Sequence, residues 1–138
     1  MSSYGLERLP REECLQLLRT RGFGRVGLKI GDDPAILPVN YAVLGDDVVF
    51  RTDPGAKLSA AVLRRKVAFE VDQTQPFSHD GWSVLVVGHA EEVRDRSTLD
   101  AVDHLPLRPW ADGVRDQVVR IRAEQVTGRR IVHAGERS

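Results

Sequence analysis

Along the chain the apolar and polar positions change period several times, and each change predicts an element. Pro10, Glu12 and Glu13 suit a helix start, because proline loses nothing at the first helical position and the carboxylates face the positive end of the dipole. Cys14, Leu15, Leu17 and Leu18 supply its apolar stripe, and Gly22 and Gly24 end it. Residues 25–30 alternate, with period two, as in a half-buried strand. A Gly31-Asp32-Asp33-Pro34 turn leads to a second extended run at 35–44, and Gly45-Asp46-Asp47 turns it into a third at 48–52, so a three-strand meander is expected. Leu58, Ala61 and Val62 place a short helix within 56–65, and residues 67–71 read as a fourth strand. The longest strand pattern covers 82–93 and is apolar on both faces through its middle, as in a central strand or one buried between subunits. A short helix at 97–105, with Ser97 as its cap, a sixth strand at 118–126 and a short last one at 129–133 complete the pattern.

Six main strands, few helices and short turns define a mainly β chain with flanking helices, and point to a closed β-barrel. Its 138 residues are the length of one domain, 1–138, with 1–5 and 134–138 expected to fray.

Composition narrows the function. Twenty Lys and Arg balance twenty Asp and Glu, which disfavours nucleic acid as a partner and coating of an anionic membrane. One cysteine, no apolar leader and no long apolar run make a soluble cytoplasmic protein the expectation, with no membrane partner. Cys14, on an apolar helical face, reads as core packing rather than a nucleophile. No phosphate-cradling or dinucleotide Gly-rich loop, no cysteine pair for zinc and no His-Glu-x-x-His motif is present, and the four histidines lack ligand spacing. The neutrality is nevertheless segregated: residues 51–66 carry net +4, and 67–104 carry net −6.

The stretch Phe50-Arg51-Thr52-Asp53-Pro54-Gly55-Ala56-Lys57-Leu58 carries the candidate chemistry. An arginine fork, a threonine hydroxyl, a lysine and the start of a helix can converge on one phosphate. The alternative is that Arg51 and Lys57 are solvated rim residues.

These segments occur in a telling order. A helix, Gly-Arg-Val-Gly (24–27), Pro-Val-Asn-Tyr (38–41), Phe-Arg-Thr (50–52), Gly-x-Lys (55–57), Phe-Glu-Val-Asp (69–72), Gly-Trp-Ser-Val (81–84) and Val-x-Gly-x-Ala (86–90) together resemble the pyridoxamine 5′-phosphate oxidase-like, FMN-binding split-barrel family. The likeness is greatest to its small actinobacterial type, which includes nitroimidazole-resistance-like and deazaflavin-dependent relatives, and it runs from about Leu9 to Ile131.

The resemblance implies a six-stranded antiparallel split β-barrel that pairs as a homodimer, with flavin sites at the subunit interface and a small-molecule substrate over the ring. By the same resemblance, Arg51, Thr52 and Lys57 would hold the FMN phosphate. Pro38, Val39 and Asn40 would lie along the ring, with Asn40 alternatively a satisfied strand-edge amide. Trp82 and Ser83 would face the same site from one subunit or the other, Trp82 alternatively being packing. Trp110 could cap the cofactor or cover the dimer seam, and Arg129 could reach an anionic group or remain a surface arginine. No C-terminal Trp…Arg-x-His segment is present, so vitamin B6 oxidation itself is not expected.

An FMN-dependent oxidoreductase is therefore the leading reading, and it needs no acid–base constellation because the redox chemistry belongs to the cofactor. The alternatives are a deazaflavin F420-dependent reductase on the same barrel, for which Arg64, Arg65 and Lys66 provide extra positive charge, and a non-enzymatic flavin- or haem-binding module with His89 or His133 as ligand.

Overall fold

The computed structural model describes residues 4–53, 57–77, 80–107 and 117–133. Its elements are β1 (Tyr4–Arg8), α1 (Arg11–Leu18), β2 (Phe23–Ile30), β3 (Asp33–Asn40), β4 (Ala42–Leu44), β5 (Asp47–Thr52), α2 (Lys57–Val62), β6 (Lys66–Gln75), β7 (Asp80–Glu92), α3 (Arg96–Asp103), β8 (Gln117–Ile121) and β9 (Gln125–His133).

All pairings between these strands are antiparallel. The order is β3-β2-β6-β7-β8-β5-β4, with β9 also on β7 and β1 on β9. The long strand β7 is the branch point. It runs beside β6 from Asp80 to His89, while its other edge pairs Trp82–Val87 with β9 and then Ala90–Glu92 with β8. One sheet thus divides into two branches that curl around a shared interior, and among the described residues the path does not close. This is the mainly β, antiparallel split barrel with flanking helices that the resemblance implies, and not the closed barrel expected from the strand pattern, because β7 changes partners from β9 to β8 and divides the sheet.

There are nine described strands rather than six, for local reasons. The run expected at 35–44 breaks at Tyr41, whose amide donates to the Gly22 carbonyl at 2.9 Å and whose hydroxyl donates to the Leu18 carbonyl at 2.6 Å. Its ring meets Phe69 edge-on, centroids 4.7 Å apart. Anchored this way, Tyr41 turns the chain from one branch into the other, so β2–β3 and β4–β5 are separate hairpins and not one meander. The run expected at 118–126 breaks at 122–124, opposite the fork in β7. Tyr4 and Gly5, expected to fray, pair with His133 and Val132, while 1–3 and 134–138 lie outside the described residues.

The fork is held by two carboxylates. Asp47, 9% exposed, accepts from Arg120 Nε at 2.7 Å, from the Ala123 amide at 2.8 Å and from Arg122 Nη1 at 3.3 Å. Glu124 accepts from the His89 amide at 3.1 Å and lies 2.9 Å from its ring Nδ1. That pairing draws the Glu124 carboxyl below its ordinary value. Removing Asp47 orphans an amide and a nearly buried guanidinium, and losses of this kind run to several kcal/mol. Asp47→Ala is expected to lower unfolding free energy by about 2–4 kcal/mol, read from urea denaturation followed by circular dichroism.

The interior of the barrel is one apolar cluster that includes Cys14, Leu18, Val26, Phe50, Phe69, Val84, Val86 and Ile121. The expected burial of Cys14 holds, at 0% exposure, and burial is also what raises its thiol pKa. A second, smaller cluster of Ala42, Val49, Val93, Val102, Leu107 and Val118 lies partly under α3. The cap of α3 is Asp95 and not Ser97: its carboxylate accepts from the Thr98 amide, and the Ser97 hydroxyl donates to it as well.

Candidate functional site

β3 is an end strand of the sheet, so one of its edges keeps backbone N–H and C=O groups outside any ladder. Beside it the end of β5 and the helix α2 close a hollow of about 270 Å³, lined by Leu37, Pro38, Val39, Arg51, Thr52, Asp53 and Leu58. Four of the sequence-predicted residues, Pro38, Val39, Arg51 and Thr52, therefore come together from positions far apart in the chain. Lys57 opens α2 in the same segment, while Pro54, Gly55 and Ala56 lie outside the described residues.

Thr52 is 4% exposed, and its hydroxyl has no hydrogen-bond partner among the described residues. A buried hydroxyl without a partner costs about 1–3 kcal/mol, which makes it the polar group of this hollow most in need of a ligand. Arg51, next in the strand, also lines the hollow. Its Nη2 donates to Asp103 Oδ1 at 3.0 Å and its Nε to the Leu107 carbonyl at 3.4 Å, with the side chain only 12% exposed. α3 thereby fixes the guanidinium, whose other N–H donors have no hydrogen bond among the described residues. Asp103 and Leu107 are neighbours of Arg51 that the sequence does not reveal, because some fifty residues separate them from it.

The other candidates fall elsewhere. Asn40 ends β3, exposed and opposite Phe23, outside the lining of the hollow. Trp82 and Ser83 do not line the hollow: Trp82 packs inward against the core cluster, and Ser83 lies outward between Asp72 and Arg129. For Trp82 packing is what the structure shows. Arg129 is exposed on β9, and β2, β6 and β7 lie between β9 and β3. At about 4.8 Å per strand that is about 19 Å across the sheet, so Ser83 and Arg129 do not reach the hollow of their own chain. Trp110 lies outside the described residues. Arg64, Arg65 and Lys66 sit where α2 passes into β6, with Arg64 and Arg65 bonded to the Ala90 backbone, and do not line the hollow. His89 is engaged by Glu124, and among the described residues no group of three His, Cys, Asp or Glu side chains could hold a metal ion.

A second hollow, about 370 Å³, lies on the outer face of the sheet across β3 from the first. It is lined by Arg25, Gly27, Ile36, Ala68, Glu70 and Asp72. Arg25 Nη1 is 3.2 Å from Glu70 and 3.6 Å from Asp72. Burial and the neighbouring Asp72 push the Glu70 carboxyl up to about 7, against the opposing pull of Arg25. The sequence signal was present in the Phe-Glu-Val-Asp segment, where Glu70 and Asp72 share a strand face, but only the β2–β6 register adds Arg25.

A split antiparallel barrel with a partly apolar hollow between an end strand, the end of β5 and α2 has the architecture of the split-barrel flavin-binding proteins. Comparison with known proteins is more specific: the pyridoxamine 5′-phosphate oxidase family model matches residues 10–130, and the chain belongs to that family. An uncharacterized protein of Mycobacterium tuberculosis is 41% identical over 129 residues, 90% of this chain and 84% of the relative. Among solved structures, the FAD binding protein from Mycobacterium smegmatis is 35% identical with a TM-score of 0.80, covering 90% of this chain and 98% of its own. A FAD-binding protein from Mesorhizobium loti, 24% identical with a TM-score of 0.75 over 94% and 99% of the two chains, shares the fold. No helix among the described residues is long and apolar enough to cross a membrane.

Proposed function

We propose that this protein is a flavin-dependent oxidoreductase that works as a homodimer on a small organic substrate. The observation that carries the reading is the buried, partnerless Thr52 hydroxyl in a hollow shared with Arg51 and the free edge of β3. Thr52 donates one hydrogen bond to a flavin phosphate, Arg51 contributes its unused N–H groups, and Lys57 adds a point charge at the start of α2. The apolar side chains of Leu37, Val39 and Leu58 exclude water, and backbone groups of the β3 edge meet the polar rim of the ring. Bound flavin supplies the hydride or electron chemistry, and the chain supplies position and a dry setting. A second copy supports the same reading, because the expected site residues Ser83 and Arg129 are remote from the hollow of their own chain.

FMN is the flavin expected from the resemblance. The FAD binding relative from M. smegmatis favours the dinucleotide, and F420 remains the deazaflavin alternative. Titration of the full chain with FMN, FAD and F420 in parallel, followed by flavin fluorescence quenching or absorbance, is expected to show saturable binding of one flavin per chain. Failure of all three to bind overturns the proposal. Transfer of electrons from a reduced nicotinamide to an acceptor through the bound flavin separates an enzyme from a storage module.

Thr52→Val, which replaces the hydroxyl by a methyl of similar volume, is expected to weaken flavin binding about tenfold, the worth of one hydrogen bond of about 1–1.5 kcal/mol. Because the hydroxyl is partnerless in the free protein, the same change is expected to leave thermal stability equal or higher. A fall in stability with unchanged affinity would assign Thr52 to the fold alone.

A further inference from the structure

The outer face of the sheet combines two properties seldom left open to water. Ile36 is 72% exposed, Leu85 40% and Phe23 54%, and between them Gly27 and Ala68 keep the surface low enough for close approach. At its centre lies the hollow that holds Arg25, Glu70 and Asp72. Five strands, β3, β2, β6, β7 and β9, present this face. With about 4.8 Å between strands and about seven residues of about 3.3 Å each, it covers about 24 by 23 Å, about two thirds of the ~800 Å² per partner of an ordinary stable interface before side-chain relief is counted.

Charge distinguishes this face from a simple apolar patch. With both carboxylates ionised, Arg25 neutralises only one, so the trio in each copy keeps one negative charge without a close partner, the nearest further cation on this face being Arg129 of β9, across Ser83 and about 10 Å from Asp72. Two copies meeting face to face would bury two such charges near one another, and burying an unpaired charge is far costlier than burying a neutral carboxyl. One proton per copy removes the excess. The groups that face Glu70 are Arg25 on β2 and Asp72 on its own strand, while its neighbour on β7 is the uncharged Leu85. Lys66 and Lys29 stand four residues further along β6 and β2 from the Glu70–Arg25 pair, about 13 Å away. His89 lies opposite Lys66 and is itself paired with Glu124, β3 presents no titratable group beside Glu70, and β9 presents Arg129, two strands across and two residues along, about 12 Å away.

We propose that Arg25, Glu70 and Asp72 form a proton-operated latch for self-association: two copies of this chain dock over the outer sheet face when Glu70 is protonated, and its ionisation loosens the pair. The latch rests on the homodimer reading above. Its free carboxyl is already raised to about 7 by burial and by Asp72. Docking removes its remaining water and raises it further, so the dimer holds more protons than two free copies in this range. Affinity between copies is then full below about pH 7 and falls as pH rises, by at most 100-fold per pH unit for two protons per dimer.

The test is the dimer dissociation constant of the full chain, carrying a fluorescent label, measured by sedimentation at dilutions down to nanomolar at pH 6.0, 7.0 and 8.5. The expected result is at least a tenfold weaker dimer at pH 8.5 than at pH 6.0. Glu70→Gln, neutral at every pH, is expected to bind tightly and without pH dependence. Asp72→Asn, which leaves Arg25 and Glu70 as a balanced pair, is expected to dock without the loss of affinity at high pH. If the dimer never dissociates, exchange of subunits between two labelled pools is read instead, and must be faster at pH 8.5. A dimer whose affinity and exchange are the same across the range, or a Glu70→Gln protein that keeps the wild-type pH dependence, overturns the latch alone. A chain that is monomeric at every pH and concentration overturns the homodimer with it, whereas the flavin titrations judge the cofactor separately.

Discussion

Gly88→Ala is expected to lower the unfolding free energy by at least about 3 kcal/mol, or to prevent folding altogether, as read by urea denaturation of the purified chain. Overpacking of a rigid site has costs of this order and above. A methyl at this position would stand 1.7 Å from the Arg122 carbonyl oxygen and 2.8 Å from its carbon. Those are backbone atoms, so no rotamer relieves the overlap. The segment they belong to cannot withdraw either: the Arg122 amide donates to the His89 carbonyl at 3.0 Å, and the next amide is held by Asp47. Gly88 stands where β7 changes partners from β9 to β8, and the 122–124 turn fits against it because it has no side chain. Gly5→Ala, whose added methyl has only the Val132 carbonyl at 4.0 Å, is the matched control and is expected to be neutral. Equal stability for the two variants would show that the fork relaxes freely.

Arg51→Ala combined with Lys57→Ala is expected to reduce flavin affinity by a factor of 100 or more while the barrel stays folded. Hydrogen bonds to charged groups contribute about 1.5–3 kcal/mol each, and every 1.4 kcal/mol is tenfold in affinity. The fold is expected to survive because the carboxylate left behind, Asp103, has a side chain 65% exposed and remains hydrated. The Leu107 carbonyl loses a donor, a smaller cost. Fluorescence titration of wild type and double variant, with circular dichroism to confirm the fold, decides the matter. Unchanged affinity would remove the phosphate from this hollow and with it the placement of the cofactor.

The periodic segments were readable because burial on one face of a strand or helix writes itself directly into the sequence. Val67, Phe69 and Val71 alternate with Ala68, Glu70 and Asp72, and the structure buries the first three. The stripe of α1 and the apolar middle of β7 were equally plain. Tyr41 was not readable as a break, because nothing local distinguishes an anchored tyrosine from any other strand aromatic. Its partners, Leu18, Gly22 and Phe69, come from three other places in the chain. β1 left no signal because a short edge strand with one neighbour carries little apolar periodicity. The cap of α3 was misread by two residues, as Asp95 and Ser97 are both good cap residues and only the backbone geometry selects one.

For the candidate site the division is similar. Arg51, Thr52 and Lys57 stood out because their side-chain chemistry converges within seven residues. That Trp82 packs inward while Ser83 lies outward follows from strand alternation once the pairing of β7 is known. The sequence by itself determined the mainly β character and the family, since these depend on periodicity and on residues near one another in the chain. Only the tertiary structure decided that Thr52 is buried without a hydrogen-bond partner among the described residues, that α3 grips Arg51, and that Arg25 compensates just one of the two carboxylates beside it. Each of these depends on register and curvature, which bring together groups from distant segments and remove water from them.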